Sequence, residues 1–536
     1  MCDNCHSSEG PPPLPEAGDG GPPRDRSSGI VRSAALLSLG NVTSRVLGLI
    51  REQVISYFFG AGVYVSSFRL SDRVLRLLYD LIVGGMLSGA LVPVFSEYAQ
   101  KDREELWRLA SALLTLIAML VSAIILTIEL LAVPLAHLLA AGQTPAQQQV
   151  TAHFFRLMAP AVFLLSISSV LLAILYALKR FRFAALATAV YNLGIVIGVP
   201  LLAHRFDAFS LALGVLLGGA FQLLVLLPDL RDVRLRISFY WRHPGLRRIF
   251  RLYLPVAVAL LVGMTQGLFD GRLATFTGPS SLAYMANATT LVQFPLGLVA
   301  MAMSYASLPT LSEYAVNNAL EKYSLTLEQV LRLVLFLSIP AAVGLFVLAE
   351  PVVRLVFEHG AFTRQDTVET ARALRVYAIG LTFAAVDWPL NYGYYARQNT
   401  LTPTLVGIFS VGVYVVVALT LMGPLGMIGL VWGDTAKHFS HAMTMTALTR
   451  RDVGRLGQGT LVSALVRMLL AAAVMGVMIH AGVHTLEGVL APWGKGGELA
   501  AVSAGIIVGG GVYLLSSRWL GLEEPRYLWH QFRRRI

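Results

Sequence analysis

The sequence predicts an all-α polytopic membrane protein of about 14 transmembrane helices, arranged as two parallel six-helix lobes plus a C-terminal helix pair. Three observations carry this expectation. Of 536 residues, 56% are hydrophobic and only 14% are charged, and the mean hydropathy is +0.65. Apolar windows of roughly 20 residues, the helical length that crosses a hydrocarbon core of about 30 Å, recur from Val31 to Leu520. The eight-residue phrase VPVFSEYA at 92–99 returns as LPTLSEYA at 308–315.

Taken in order, the expected spans are 31–58, 68–95, 107–136, 154–178, 183–203, 207–228, 252–277, 283–308, 327–357, 371–395, 403–423, 426–448, 460–483 and 498–517. Residues 1–30, rich in Gly, Pro and Ser and without a continuous apolar run, read as a disordered cytoplasmic tail rather than a signal peptide. The two cysteines lie there in CDNCH, the C-x-x-C-H spacing of haem attachment. Nothing around them could bury a haem, so a solvated, reduced pair is the reading adopted.

The net charge of +11 is sorted by side, whereas a soluble nucleic-acid binder would gather it on a folded surface. Lys101, Arg103 and Arg108 follow span two, and Lys179, Arg180 and Arg182 follow span four. Arg231, Arg234, Arg236, Arg242, Arg247, Arg248 and Arg251 crowd the link after span six. Arg450, Arg451 and Arg455 follow span twelve, and Arg533, Arg534 and Arg535 close the chain. The links after odd-numbered spans are nearly bare, with Arg205, Arg364 and Lys495 the main exceptions. The positive-inside rule then puts both termini in the cytoplasm, and 14 is the count that satisfies the alternation.

Both copies of the repeated phrase end a span on the basic side, six spans apart. An even offset preserves the sense of insertion, so the symmetry is parallel, about an axis along the membrane normal. The expected organisation is a lobe over 31–228, a basic linker over 229–251, a second lobe over 252–449, a helix pair over 460–517 and a basic tail over 518–536. Such repeats place a substrate site between the lobes near midplane.

Charges inside the spans mark where that site lies. Span one carries Arg45, Arg51 and Glu52; span two carries Arg69, Asp72, Arg73, Arg76 and Asp80. Each costs roughly 2.5–3.5 kcal/mol at a helix centre on insertion scales, so the set would cost on the order of 10–20 kcal/mol facing lipid. Residues 69, 73, 76 and 80 share one helical face, which must look into protein or a wet cavity. One reading makes these residues ion pairs that fix packing, or side chains that reach the interface. The other notes five arginines against three carboxylates and completes the surplus with an anion, for which guanidinium favours phosphate. Arg45, Arg51, Arg69, Arg73 and Arg76, with Ser44 beside them, are the candidate substrate-binding residues. In the second lobe, Asp270 and Asp434 form a candidate cation or proton site, although Lys437 could simply neutralise Asp434. His438 and His441 lack a third ligand for a metal.

SRVLGLIRE, FFGAG, SGALVPVFSEYA, QFPLGLVAMAMSYASLPTLS, VFEHGAFTRQDTVETARAL and YYARQNTLTP, in that order, resemble the MurJ (MviN) family of lipid II flippases, within the multidrug/oligosaccharidyl-lipid/polysaccharide exporter superfamily. The resemblance implies 14 helices, two parallel lobes, a cationic central cavity and a ligand that is the undecaprenyl-pyrophosphate-linked peptidoglycan precursor, moved from the inner to the outer leaflet. Arg45 and Arg51 stand at the family's two span-one arginines. Other family positions differ: Ser66 stands at an Asp, Leu75 and Arg76 at Pro-Asn, Tyr79 and Asp80 at Arg-Arg, Gly84 at a Glu, and Ala288, Thr289 and Thr290 at Ala-Asp-Arg. In the family's cation site Asp270 is kept, Tyr414 and Ala418 replace an Asn-x-x-x-Asp pattern, and Asp434 falls where span twelve often has Thr.

The function expected is therefore a non-enzymatic flippase working by alternating access in the plasma membrane. Its partners would be a lipid-linked anionic glycan, the bilayer and the cell-wall synthesis machinery, with no nucleic acid. No cofactor is expected, and coupling to Na+, H+ or the membrane potential stays open. Alternatives are an exporter of another polyprenyl-linked oligosaccharide or a non-transporting scaffold of the same ancestry. A drug exporter for cations would need an acidic cavity, and a glycosyltransferase would need outer-loop carboxylates that only EHGAFTRQDTVET supplies.

Overall fold

The computed structural model of the chain describes residues 24–84, 86, 90–454 and 460–527. The CDNCH motif, Arg455 and the closing Arg533, Arg534 and Arg535 lie outside the described residues. Helix accounts for nearly everything described, in fourteen membrane-length runs that follow the expected spans. Spans one to seven are Arg24–Phe59; Val63–Tyr79 continued by a π-helical turn at Asp80–Gly84 toward Val92–Lys101; Arg103–Leu139; Pro145–Ala177; Ala187–Phe206; Ser210–Leu226; and Pro244–Thr277. Spans eight to fourteen are Ser281–Pro295 with a π-helical turn at Leu296–Met301 and then Ala302–Val316; Leu320–Val347 with Ala349–Phe357; Arg364–Ala396; Leu401–Leu425; Met427–Val453; Thr460–Leu490; and Gly494–Trp519.

Eight helices are long and apolar enough to cross a membrane by length and composition. One of them, Ala184–Leu230, holds spans five and six, which bend apart at Asp207, whose φ of 47° lies in the left-handed region that Asp tolerates. Span seven is a further pair of helices inclined by 45°. The runs that remain are spans one, two, ten and twelve. Those four carry most of the intramembrane charges, and the carboxylates of Glu52 and Asp387 among them are buried against other helices rather than turned to lipid.

The repeat read in the sequence is also a repeat of backbone geometry. Span five packs on six as eleven packs on twelve, two on four as eight on ten, and four on six as ten on twelve. The π-helical turn precedes the repeated phrase by the same interval in both copies, 80 to 92 and 296 to 308. Such turns interrupt the helical ladder and recur at functional sites. The symmetry fails at one place: span one packs broadly on span five, whereas span seven has no equally broad partner within its own lobe. It leans across onto span two instead.

Spans five and six meet backbone to backbone through two small-xxx-small pairs, Gly194/Gly198 and Gly214/Gly218. A Cβ on Gly194 would sit 2.5 Å from the Gly218 Cα, and one on Gly198 would sit 3.1 Å from the Gly214 Cα. Gly194→Leu should therefore push the helices apart and cost on the order of 1–3 kcal/mol, the usual range for overpacking. Thermal unfolding of the purified variant in detergent checks this; an unchanged midpoint would contradict the contact.

The linker 229–251 is not free. Its middle is extended and lies along span three, where the Ser111 and Thr115 hydroxyls, one turn apart, accept from the backbone N–H groups of Arg236 and Ser238 at 3.0 Å each. Arg180 grips Asp232 through two bonds of 2.5 and 2.6 Å, His243 meets Glu105 at 3.1 Å, and Arg248 meets Glu97 at 2.5 Å. The hydrogen bonds from Arg180 hold the Asp232 carboxyl down at about 2. The attachment they lend is thus complete above the usual carboxylate value of about 3.9 and is lost as pH falls through about 2. Limited proteolysis should find the linker resistant at pH 4, and Arg180→Ala should open it to cleavage already at neutral pH.

Two expected tails turn out to be partly structured. Residues 24–30 belong to the first helix of the fold. Beyond Trp519 the chain turns back, and buried Glu524 pairs with Arg332 of span nine at 2.6 Å. Spans thirteen and fourteen pack on span nine, where the Tyr513 hydroxyl donates to the Phe336 carbonyl at 3.0 Å.

Candidate functional site

The lobes join firmly at the end away from the basic links. There Ala361 N–H donates to the Tyr57 carbonyl at 2.8 Å, Gly142 N–H to the Thr275 hydroxyl at 3.1 Å, and Ala283 N–H to Ser66 at 3.3 Å. Two seams run from that end toward the basic end. Along one, spans two and seven stay in register through Arg73 with Asp270 and the Tyr253 hydroxyl on the Leu81 carbonyl. Along the other, spans one and eight touch at Ser56 with Asn287, 3.5 Å, and at Arg45 with Gly297. Among the described residues, no extended contact joins span one to Ala302–Val316, so this seam parts toward the basic end.

The candidate arginines stand along these seams. Glu52, 2% exposed, receives Arg51 at 2.6 and 3.1 Å through one oxygen and Arg69 through both. Two guanidinium groups thus share one carboxylate and leave a net positive charge, and Arg69 Nε is buried without a hydrogen-bond partner. Arg51 also donates to the Asn192 carbonyl oxygen of span five at 3.0 Å. The Asn192 amide in turn reaches the Ser44 backbone and hydroxyl at 3.2 and 3.3 Å. Ser44 therefore ties span one to span five. Arg45 has no carboxylate partner among the described residues; it is exposed, with its guanidinium against Gly297 in the π-helical turn of span eight.

Arg73 and Arg76 stand differently from the free basic row expected of span two. Arg76 pairs with Asp72 of its own helix at 2.8 Å. Arg73 pairs with Asp270 at 2.8 Å, an acid that span seven brings across the seam. The expected surplus therefore contracts onto Arg45 and the Arg51/Glu52/Arg69 group. The expected cation site is also changed. Asp270 holds Arg73 on one oxygen and the Tyr414 hydroxyl, at 2.7 Å, on the other; Asp434 holds Lys437 at 2.5 Å. Internal cations thus fill both carboxylates, Arg73 on Asp270 and Lys437 on Asp434, and the Tyr414 hydroxyl takes the second oxygen of Asp270.

Three contributors were not singled out from the sequence: Glu52 as the bridge, Asn192 as the brace and Gly297 as the seat of Arg45. Asn192 had a visible signal, a lone amide in an apolar span. Beside the seam, an apolar groove of about 640 Å³ runs between spans one, eight, nine, thirteen and fourteen, lined by Leu49, Thr290, Phe294, Pro295, Leu345 and Ile506 among others. Leu49 lies between Arg45 and Arg51 in sequence, so span one borders both the groove and the cationic gap.

Two six-helix lobes related by a parallel repeat, joined at one end and enclosing a gap with surplus positive charge, define a membrane transporter of the alternating-lobe class. Solved structures support that fold. A lipid II flippase MurJ in an inward closed conformation superposes with a TM-score of 0.75 at 21% identity, covering 90% of this chain and 98% of that one. An inward-facing multidrug resistance MATE transporter gives 0.66 at 15% identity, covering 78% and 96%. The family model described as lipid II flippase MurJ matches residues 55–499, and the chain belongs to that family. Curated relatives named as probable lipid II flippases MurJ are 28% identical in Bdellovibrio bacteriovorus (92% of this chain, 95% of that one) and 29% identical in Vibrio cholerae (84% and 88%). Another, from Thermotoga maritima, is 27% identical (92% and 97%).

Proposed function

We propose that this chain moves lipid II, the undecaprenyl-pyrophosphate-linked peptidoglycan precursor, from the inner to the outer leaflet of the cytoplasmic membrane by alternating access. Both termini would be cytoplasmic, as the basic links require. The observation that carries the reading is the trio of Arg45, Arg51 and Arg69: Arg51 and Arg69 share the single buried carboxylate of Glu52, and Arg45 lies nearby against Gly297 at the seam between spans one and eight. A pyrophosphate entering there supplies the missing negative charge, and forked guanidinium groups suit its oxygens. The apolar groove beside Leu49 fits the polyprenyl chain, which then never leaves an apolar medium. The lobes are joined at the far end, and the seam between spans one and eight parts toward the basic side. No catalytic group is needed, since no bond is made or broken. Membrane potential can contribute about 2.3 kcal/mol per charge per 100 mV. The partners implied are the lipid-linked glycan, the bilayer and the synthases that make and consume the precursor.

Reconstituted vesicles carrying fluorescent lipid II test this: the protein should expose the label of both leaflets to an external quencher, and protein-free vesicles should not. An exporter of another polyprenyl-linked glycan is the second reading. It is favoured by span eight, where Thr289 and Thr290 spend their hydroxyls on carbonyls of their own helix, at 2.9 Å to Met285 and Ala286, at positions where the family it resembles carries charge. Competition between the two glycans in the same vesicles separates the readings.

A further inference from the structure

Spans ten and twelve hold a titratable cluster that the anion site does not use. Asp387 of span ten is 8% exposed, and each of its oxygens meets one imidazole: His438 Nδ1 at 2.9 Å and His441 Nδ1 at 2.9 Å. The two histidines lie one turn apart on span twelve. Neutral imidazoles satisfy this geometry by each donating Nδ1–H to the carboxylate, which leaves both Nε2 atoms as open bases. His438 Nε2 faces Asp434 at 3.9 Å. One turn along from Asp387, the Asn391 carbonyl oxygen is buried without a hydrogen-bond partner.

Charge counting says what the cluster binds. With both imidazoles neutral, Asp387, Asp434 and Lys437 sum to one negative charge inside the membrane; a single proton on either Nε2 brings the sum to zero. The neighbouring spans bring up Tyr414, whose hydroxyl is taken by Asp270, and Arg73, which Asp270 neutralises. A metal is the wrong ligand: both Nδ1 atoms point at the carboxylate rather than at a common centre, and among the described residues no group of three or more His, Cys, Asp or Glu could hold one.

We propose that Asp387, His438 and His441 form a proton-binding site whose occupancy is coupled to lobe movement. The coupling rests on the transport reading above; the proton site does not. The path is short. A protonated His438 competes with Lys437 for Asp434; the adjoining Gly433 packs against the ring of Tyr414, whose hydroxyl donates to Asp270 at 2.7 Å, the acid that holds Arg73 and so joins spans two and seven. Loading the cluster therefore alters the seam about which the lobes turn. The proton enters from water at an Nε2 and leaves from the same atom when the lobes have moved, with no other co-reactant.

Two readouts test this. Histidine-labelled protein in nanodiscs, followed by nitrogen NMR between pH 5 and 8, should show imidazole signals that gain one proton between them, absent in H438Q/H441Q and displaced in D387N. Imidazoles that stay neutral throughout, or that titrate identically in D387N, overturn the proton site. In vesicles with lipid II and no membrane potential, a one-unit pH gradient should shift the distribution of lipid between leaflets by up to about tenfold, the proton ratio it supplies. H438Q/H441Q should lose that shift. A protein that flips lipid II with no response to the gradient overturns the coupling. A protein that flips nothing overturns the transport reading and the coupling with it, while the NMR titration still decides the site.

Discussion

Arg45→Ala is expected to slow lipid II movement by about 10- to 100-fold while the protein stays folded. A hydrogen bond to a charged partner contributes about 1.5–3 kcal/mol, and each 1.4 kcal/mol is a factor of ten. The whole of that loss should fall on the ligand, because among the described residues Arg45 has no internal acid that its removal would orphan. Arg45→Lys keeps the charge without the fork and should recover only part of the rate. Gly297→Ala offers the converse change, since a methyl there would take the place of the Arg45 guanidinium. Initial flipping rates in vesicles, at matched protein density and with melting curves alongside, check all three. A normal rate in Arg45→Ala would remove this residue from the site.

Glu52→Ala should have the largest effect on stability. It strips the one carboxylate from two guanidinium groups that are largely buried, with side chains 17% and 10% exposed, and leaves like charges facing one another. Removing one partner of a buried ionic group costs about 3–5 kcal/mol. For a membrane protein this should read as poor yield and a melting point lowered by many degrees. The double variant Glu52→Ala/Arg69→Ala removes the repulsion and should regain much of the loss, a non-additivity that a mere cavity would not produce. Glu52→Ala melting like the parent would mean that water, not Glu52, neutralises Arg51 and Arg69.

The spans, the parallel repeat and the intramembrane charges were legible because each is written in one dimension. Hydropathy sets a crossing, an even offset sets the symmetry, and Arg69, Arg73 and Arg76 share a face by helical spacing alone. What the spacing could not give was the partner. Asp270 stands almost two hundred positions from Arg73, and only the lean of span seven onto span two brings them together. The same holds for Asp387, whose neighbour by sequence is Asn391 but whose partners are the histidines of span twelve. Tyr414 was read as a lost cation ligand; in the fold its hydroxyl donates to Asp270 at 2.7 Å. Breaks in otherwise regular spans were also silent. Span nine divides at Leu348, and spans two and eight carry π-helical turns that no composition announces.

The central claim is that the gap between spans one and eight recognises a pyrophosphate. Its most direct test is the affinity of the purified protein in nanodiscs for lipid II, set against the unphosphorylated polyprenol of the same chain length. The account predicts that lipid II binds at least about tenfold more tightly, as one charge-assisted contact requires, and that the difference collapses in R45A/R51A. Equal affinity for the two lipids, or a preference that survives in the double variant, would contradict it.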